Sequence, residues 1–149
     1  SSDLYRISCS TSTPCCPMSP KPALVRVLRL AAAYNVAWGV WQIASPRSYL
    51  SLLGAEPLNY TMIWQGLGLF VALYGCLYFL ASFNYIRHWP IIAVGSASKL
   101  LGSAGFIYYV LTGALPASFA YATIPNDLIW LLPFSAMLKQ ARASGVTLR

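Results

Sequence analysis

Two charged side chains stand inside otherwise apolar stretches of this 149-residue chain, Lys99 and Asp127. If each stretch is a helix rising 1.5 Å per residue, Lys99 lies about 13 Å from the start of its own, and Asp127 about 16 Å from the end of an antiparallel neighbour. Their depths then match near the middle of a bilayer, where an unpaired charge costs about 3 kcal/mol or more. Mutual pairing is the economical arrangement, and such a pair has two uses. It can fix the register of two helices. It can also relay a proton or ion, or seat the headgroup of a quinone or pigment. Asn126 beside the aspartate, with Asn35 and Gln65 in other apolar stretches, would extend a polar intramembrane site.

Other reactive residue types are sparse. His88 is the only histidine, set between Arg87 and Trp89 at the edge of an apolar stretch. Its imidazole is a possible haem or chlorophyll ligand, or simply a loop residue, and no second histidine exists for a bis-histidine haem. Cys9, Cys15 and Cys16 lack a fourth ligand and the spacing of a zinc site, so no metal is expected. With Cys76 they do not form a secreted disulfide framework either, and reduced thiols are expected if the N-terminus is cytoplasmic. No nucleophile elbow, phosphate-binding glycine loop or carboxylate dyad is present, and three acidic residues on three different levels leave little for acid–base work. The chain is therefore expected not to be an enzyme.

Only 9% of the residues are charged while 58% are hydrophobic, which points to lipid as the main solvent. Four stretches reach the roughly 20 apolar residues that a hydrocarbon layer requires, over 25–44, 63–83, 90–111 and 119–138. Short connections make consecutive helices antiparallel neighbours, so the expected fold is all-α, a four-helix transmembrane bundle running up-down-up-down over residues 23–149. Residues 1–22, rich in Ser, Thr, Pro and Cys, are expected to form an irregular arm, within which Met18 is a possible alternative start. The first span has no small-x-small pair at its far end and is expected to stay uncleaved. Ser45-Pro46 and Gly54 bracket a short interfacial helix, and Tyr49, Tyr60 and Trp64 suit an aromatic belt. Asn59-Tyr60-Thr61 matches a glycosylation triplet, a pattern common by chance.

Charge placement sets the expected orientation. Arg6, Lys21, Arg26, Arg29, Arg87, Lys139, Arg142 and Arg149 fall on the side of the termini and the middle loop, against Arg47, offset by Glu56, on the other. Both termini are thus expected on the cytoplasmic, positive-inside face of a bacterial inner or photosynthetic membrane. Gly95, Ser98, Gly102 and Gly105 recur at steps of three, four and three and predict a helix-packing face. Gly66, Gly68, Ala72 and Gly75 make a looser one. Pro125 and Pro133 flank the aspartate and predict interruptions of the fourth helix.

The run from Arg29 to Gly39 containing Asn35 and Trp38, together with Trp64-Gln65-Gly66, Arg87-His88-Trp89-Pro90 and Asn126-Asp127-Leu128-Ile129-Trp130, resembles the DoxX-type family of small bacterial membrane proteins. The resemblance covers roughly 24–138 and excludes the Cys-rich arm. It implies a four-helix membrane fold and supplies no catalytic residues. Some members carry the label alkyl hydroperoxide reductase, but Cys76 lies in an apolar stretch with no basic partner or resolving cysteine. The expected role is that of a small accessory subunit, associated with other transmembrane subunits of a photosynthetic or respiratory complex and with membrane lipid. Contact with a chlorophyll-type pigment, quinone or lipid is part of that expectation. The alternative is an autonomous redox-linked or transport protein that works through Lys99 and Asp127.

Overall fold

The computed structural model describes residues 18–54 and 60–145. Most of the Cys-rich arm, with Arg6, Cys9, Cys15 and Cys16, lies outside the described residues, as do Glu56, Asn59, Arg149 and the side chain of Tyr49. Every element among the described residues is helical: α1 (Pro22–Ala44), α2 (Pro46–Leu52), α3 (Thr61–Ala81), α4 (Trp89–Leu111), α5 (Ser118–Thr123), a π-helical turn (Ile124–Leu128) and α6 (Ile129–Ala143).

α1, α3 and α4 are long and apolar enough to cross a membrane. α1 starts at Pro22, which composition alone assigns to the arm. Proline's fixed φ suits the first turn of a helix, and its missing N–H would have no partner there anyway. Pro90 does the same in the first turn of α4. The short helix expected after Ser45 is α2, ended by Gly54 at φ +66°, a left-handed conformation that glycine adopts without strain.

The fourth apolar stretch, expected over 119–138 with interruptions at Pro125 and Pro133, is divided into α5, the π-helical turn and α6. Pro125 has no N–H to give the carbonyl four residues back, and the chain around it widens. The Ile129 N–H donates to the Ile124 carbonyl five residues away, which makes the turn π-helical. Trp130 Nε1 donates to the Pro125 carbonyl at 3.0 Å and fastens the turn to the helix that follows. Pro133, by contrast, lies inside α6 without ending it, so only one of the two expected interruptions occurs.

α1 packs chiefly on α3 and α4 on α6. The α1–α3 seam is backbone on backbone. A Cβ on Gly39 would come 2.6 Å from the Ala72 nitrogen, and one on Gly75 would come 2.8 Å from the Ala32 carbonyl. Small residues on both helices permit this approach. Two apolar clusters form the core. One gathers Leu28, Tyr78, Tyr85, Ile92, Phe134 and Met137, the other Leu50, Leu53, Trp64 and Phe119.

Beside the first cluster the start of α1 is tied to the end of α6 through the α3–α4 loop. The buried Tyr85 hydroxyl, in the α3–α4 loop, donates to Gln140 Oε1 at 2.5 Å and accepts from the Lys21 N–H at 2.9 Å. Gln140 Nε2 in turn donates to the Ser19 carbonyl at 2.9 Å. Burial pushes the Tyr85 hydroxyl above the ordinary tyrosine range, and the Lys21 N–H pulls it back.

Candidate functional site

Between the two clusters the helices leave a cavity of about 330 Å³. Each of the four helical segments contributes to it: Asn35 and Gln42 from α1, Tyr74 and Tyr78 from α3, Lys99 and Gly102 from α4, Asn126 and Asp127 from the π-helical turn. Periodicity explains this convergence on α1, where Asn35 and Gln42 are seven residues apart and so share one face. On α4, Ser98, Lys99 and Gly102 lie within about one turn.

Lys99 and Asp127 meet across the α4–α6 pair. Lys99 Nζ donates to Asp127 Oδ1 at 3.2 Å and to the Asn126 carbonyl at 2.6 Å. The two residues are only 5% and 6% exposed. Asn126 Nδ2 donates to the same Oδ1 at 3.1 Å, so one carboxylate oxygen receives both donors. The widened turn presents a backbone carbonyl and a carboxylate from consecutive residues to one ammonium group, and the Asn126 amide nitrogen braces the same carboxylate. Burying these charges is tolerable because they are paired and hydrogen-bonded together.

Several acceptors and hydroxyls near the pair are left unmet. Among the described residues, Gln42 Oε1 and Asn126 Oδ1 are buried without a hydrogen-bond partner, as are the Tyr34 and Ser103 hydroxyls. Buried polar atoms are usually paired, so this concentration marks a place where further groups can bind. The remaining wall is largely aromatic. Trp38, stacked on Tyr34 with ring centres 5.7 Å apart, faces the cavity together with Phe70, Tyr74 and Phe106.

The sequence-derived candidates divide into three groups. Lys99, Asp127, Asn126, Asn35, Ser98 and Gly102 all line the cavity. Asn35 Nδ2 is occupied by the Ala31 carbonyl at 2.7 Å, and the Ser98 hydroxyl donates to the Gly95 carbonyl at 2.9 Å. Gln65 does not join them. Its Nε2 donates to the Ile43 carbonyl at 2.9 Å, near the α1–α2 corner. His88 is also separate, in the α3–α4 loop, where Nδ1 lies 2.9 Å from the Asn84 carbonyl.

The glycine face expected on α4 packs at one position. Gly95 meets the Tyr78 ring, whose Cε1 would lie 2.7 Å from an added Cβ, whereas Gly102 and Gly105 have nothing within 4 Å. The close helix–helix seam instead uses Gly39, Gly68 and Gly75. Among the described residues no group of three His, Cys, Asp or Glu side chains forms a metal site. Neither Gln42 nor the aromatic wall is among the site residues expected from the sequence. The seven-residue step from Asn35 to Gln42, two polar residues on one apolar helix, is the signal that marks Gln42.

No protein-family model matches the chain, and no curated protein or solved structure matches it.

Proposed function

We propose that this chain is a four-span, up-down-up-down membrane protein that binds a lipid-soluble small molecule between its helices, beside the Lys99–Asp127 pair. The observation that carries the proposal is the cavity itself, apolar over most of its wall, with a fixed ion pair and a few further polar side chains. Its volume falls in the range of small-molecule sites, which join apolar walls to a few placed polar groups.

Two features support the fourth span and its orientation. From Ser118 to Ala143 the composite of α5, the π-helical turn and α6 runs about 39 Å at helical rise, enough for a hydrocarbon layer about 30 Å thick. The hydrogen bonds from Lys21 to Tyr85 and from Tyr85 to Gln140 hold the start of α1, the α3–α4 loop and the end of α6 at one end of the bundle. Lys21, Arg26, Arg87, Lys139 and Arg142 are exposed near that end, which we assign to the cytoplasmic, positive-inside face.

The role is binding and delivery, without chemistry on the ligand, in a protein laid out like the DoxX-type family. Membership of a larger photosynthetic or respiratory complex ranks second, because the outward Leu101, Leu111 and Leu132 are accounted for by lipid contact alone.

The test is native mass spectrometry of the protein purified in mild detergent, beside Gly102→Leu. Gly102 borders the cavity with open space before it, so leucine fills the site while the surrounding backbone stays in place. A small molecule carried by the wild type and missing from Gly102→Leu is the expected result. Equal retention by both, or a wild type that neither carries nor takes up any lipid-soluble compound, would remove the proposal.

A further inference from the structure

We infer that the molecule held in the cavity presents hydroxyl groups on an aromatic ring, a phenol-type compound, and not a ring bearing only carbonyls. The inference rests on the proposed binding role of the cavity and names the chemistry it selects.

Its basis is what the cavity has in excess. Gln42 is 4% exposed, faces the cavity, and leaves Oε1 without a partner. Asn126 Oδ1 is buried and unmet in the same way, while its amide nitrogen is already committed to Asp127. Both unmet atoms are amide oxygens, which can only accept. Lys99 directs its ammonium to the Asn126 carbonyl and the Asp127 carboxylate. The Tyr74 and Tyr78 hydroxyls also line the cavity and can donate, but the polar atoms left unmet on its wall among the described residues are these two acceptors.

A quinone or ketone brings acceptors alone and leaves both amide oxygens orphaned, each at a cost of about 1–3 kcal/mol. A ring hydroxyl brings an O–H for an amide oxygen and keeps a lone pair. Trp38, Phe70 and Phe106 supply flat apolar surfaces for the ring itself. Selection through a missing hydrogen bond is efficient because the rejected analogue strands a buried polar atom in the site.

The experiment is isothermal titration of the detergent-purified protein with three probes of one ring size and alkyl chain: an alkylresorcinol, its dimethyl ether and an alkylbenzoquinone. The resorcinol is expected to bind at least about tenfold more tightly than either of the others, the factor given by about 1.4 kcal/mol. Gln42→Met, close to glutamine in length, is expected to bring the three affinities within about threefold of one another and leave the ether affinity unchanged. Circular dichroism confirms that the variant is folded, and Gln42→Glu serves as the second variant if methionine is not tolerated, keeping an acceptor and the preference. Ether or quinone binding as tight as resorcinol overturns the inference while the cavity keeps its binding role. Absence of binding by all three to folded wild type overturns the inference and that role together.

Discussion

Lys99 lies closer to the Asn126 carbonyl, at 2.6 Å, than to the carboxylate of Asp127, at 3.2 Å. The ammonium is anchored by the backbone of the π-helical turn as well as by the opposite charge, and the two partners are therefore unequal in what their loss leaves behind. Removing one member of a buried pair costs about 3–5 kcal/mol. Asp127→Asn is expected near the lower end, because the lysine keeps the Asn126 carbonyl. Lys99→Met is expected near the upper end, because the carboxylate keeps only Asn126 Nδ2. The double replacement Lys99→Met with Asp127→Leu is expected to recover most of the loss. Unfolding in detergent orders the three variants; a double variant as unstable as the worse single one would contradict a structural share for the pair.

Pro125 sets the geometry of the turn that carries both Asn126 and Asp127. Pro125→Ala restores an amide donor and lets the turn close to ordinary α-helical spacing, which draws the Asn126 carbonyl away from Lys99. The coupling energy between Lys99 and Asp127, measured by a double-mutant cycle, is expected to fall below about 1 kcal/mol in that background, within the lower range for residues in contact. Unchanged coupling would mean that the turn is held open by its surroundings and not by the proline.

Glycines that look alike along the chain should behave differently when changed. Gly39→Ala forces a methyl onto the Ala72 backbone and is expected to cost about 1–3 kcal/mol by overpacking. Gly105→Ala meets nothing within 4 Å and is expected to stabilise α4 by about 0.5–1 kcal/mol through backbone entropy. Thermal unfolding of the two variants reads the contrast directly, and equal effects would show that the α1–α3 seam yields more readily than its contacts imply.

Tyr85 joins the start of the described chain to α6. Tyr85→Phe removes the bond to Gln140 and the acceptor for Lys21, and is expected to cost about 1–2 kcal/mol. Amide hydrogen exchange should show the Lys21 N–H losing protection by about tenfold or more, with the middle of α3 little changed. Protection at Lys21 that survives in Tyr85→Phe would place the anchor elsewhere, in the Ser19–Gln140 bond.

Several of these relationships are legible in the sequence because long apolar helices narrow the choices. Three helices declare themselves by length and apolarity, and the depths of Lys99 and Asp127 follow from helical rise alone. What sequence does not convey is partner choice. A glycine announces that something can come close, but it does not say what, so the series on α4 reads as a packing face while Gly102 in fact borders a cavity. Gln65 and Gln42 are equally polar in the sequence, and only the helix rotation turns one toward the α1–α2 corner and the other inward. Pro125 and Pro133 are equally disruptive on paper. The π-helical turn absorbs the first, while α6 carries the second without a break.

A turn closed by five residues where four would serve holds one residue more than a regular helix of the same height. The segments on either side of Ile124–Leu128 are therefore out of phase by about a hundred degrees relative to an unbroken helix. Deleting one residue within that stretch would let the fourth segment close into a continuous rod with Phe119 and Phe134 still facing inward, whereas a deletion in the regular helix between the turn and either ring would swing that ring outward. The acidic site thus occupies the one place between those rings where the length of the chain can change by a single residue and the core can keep its faces.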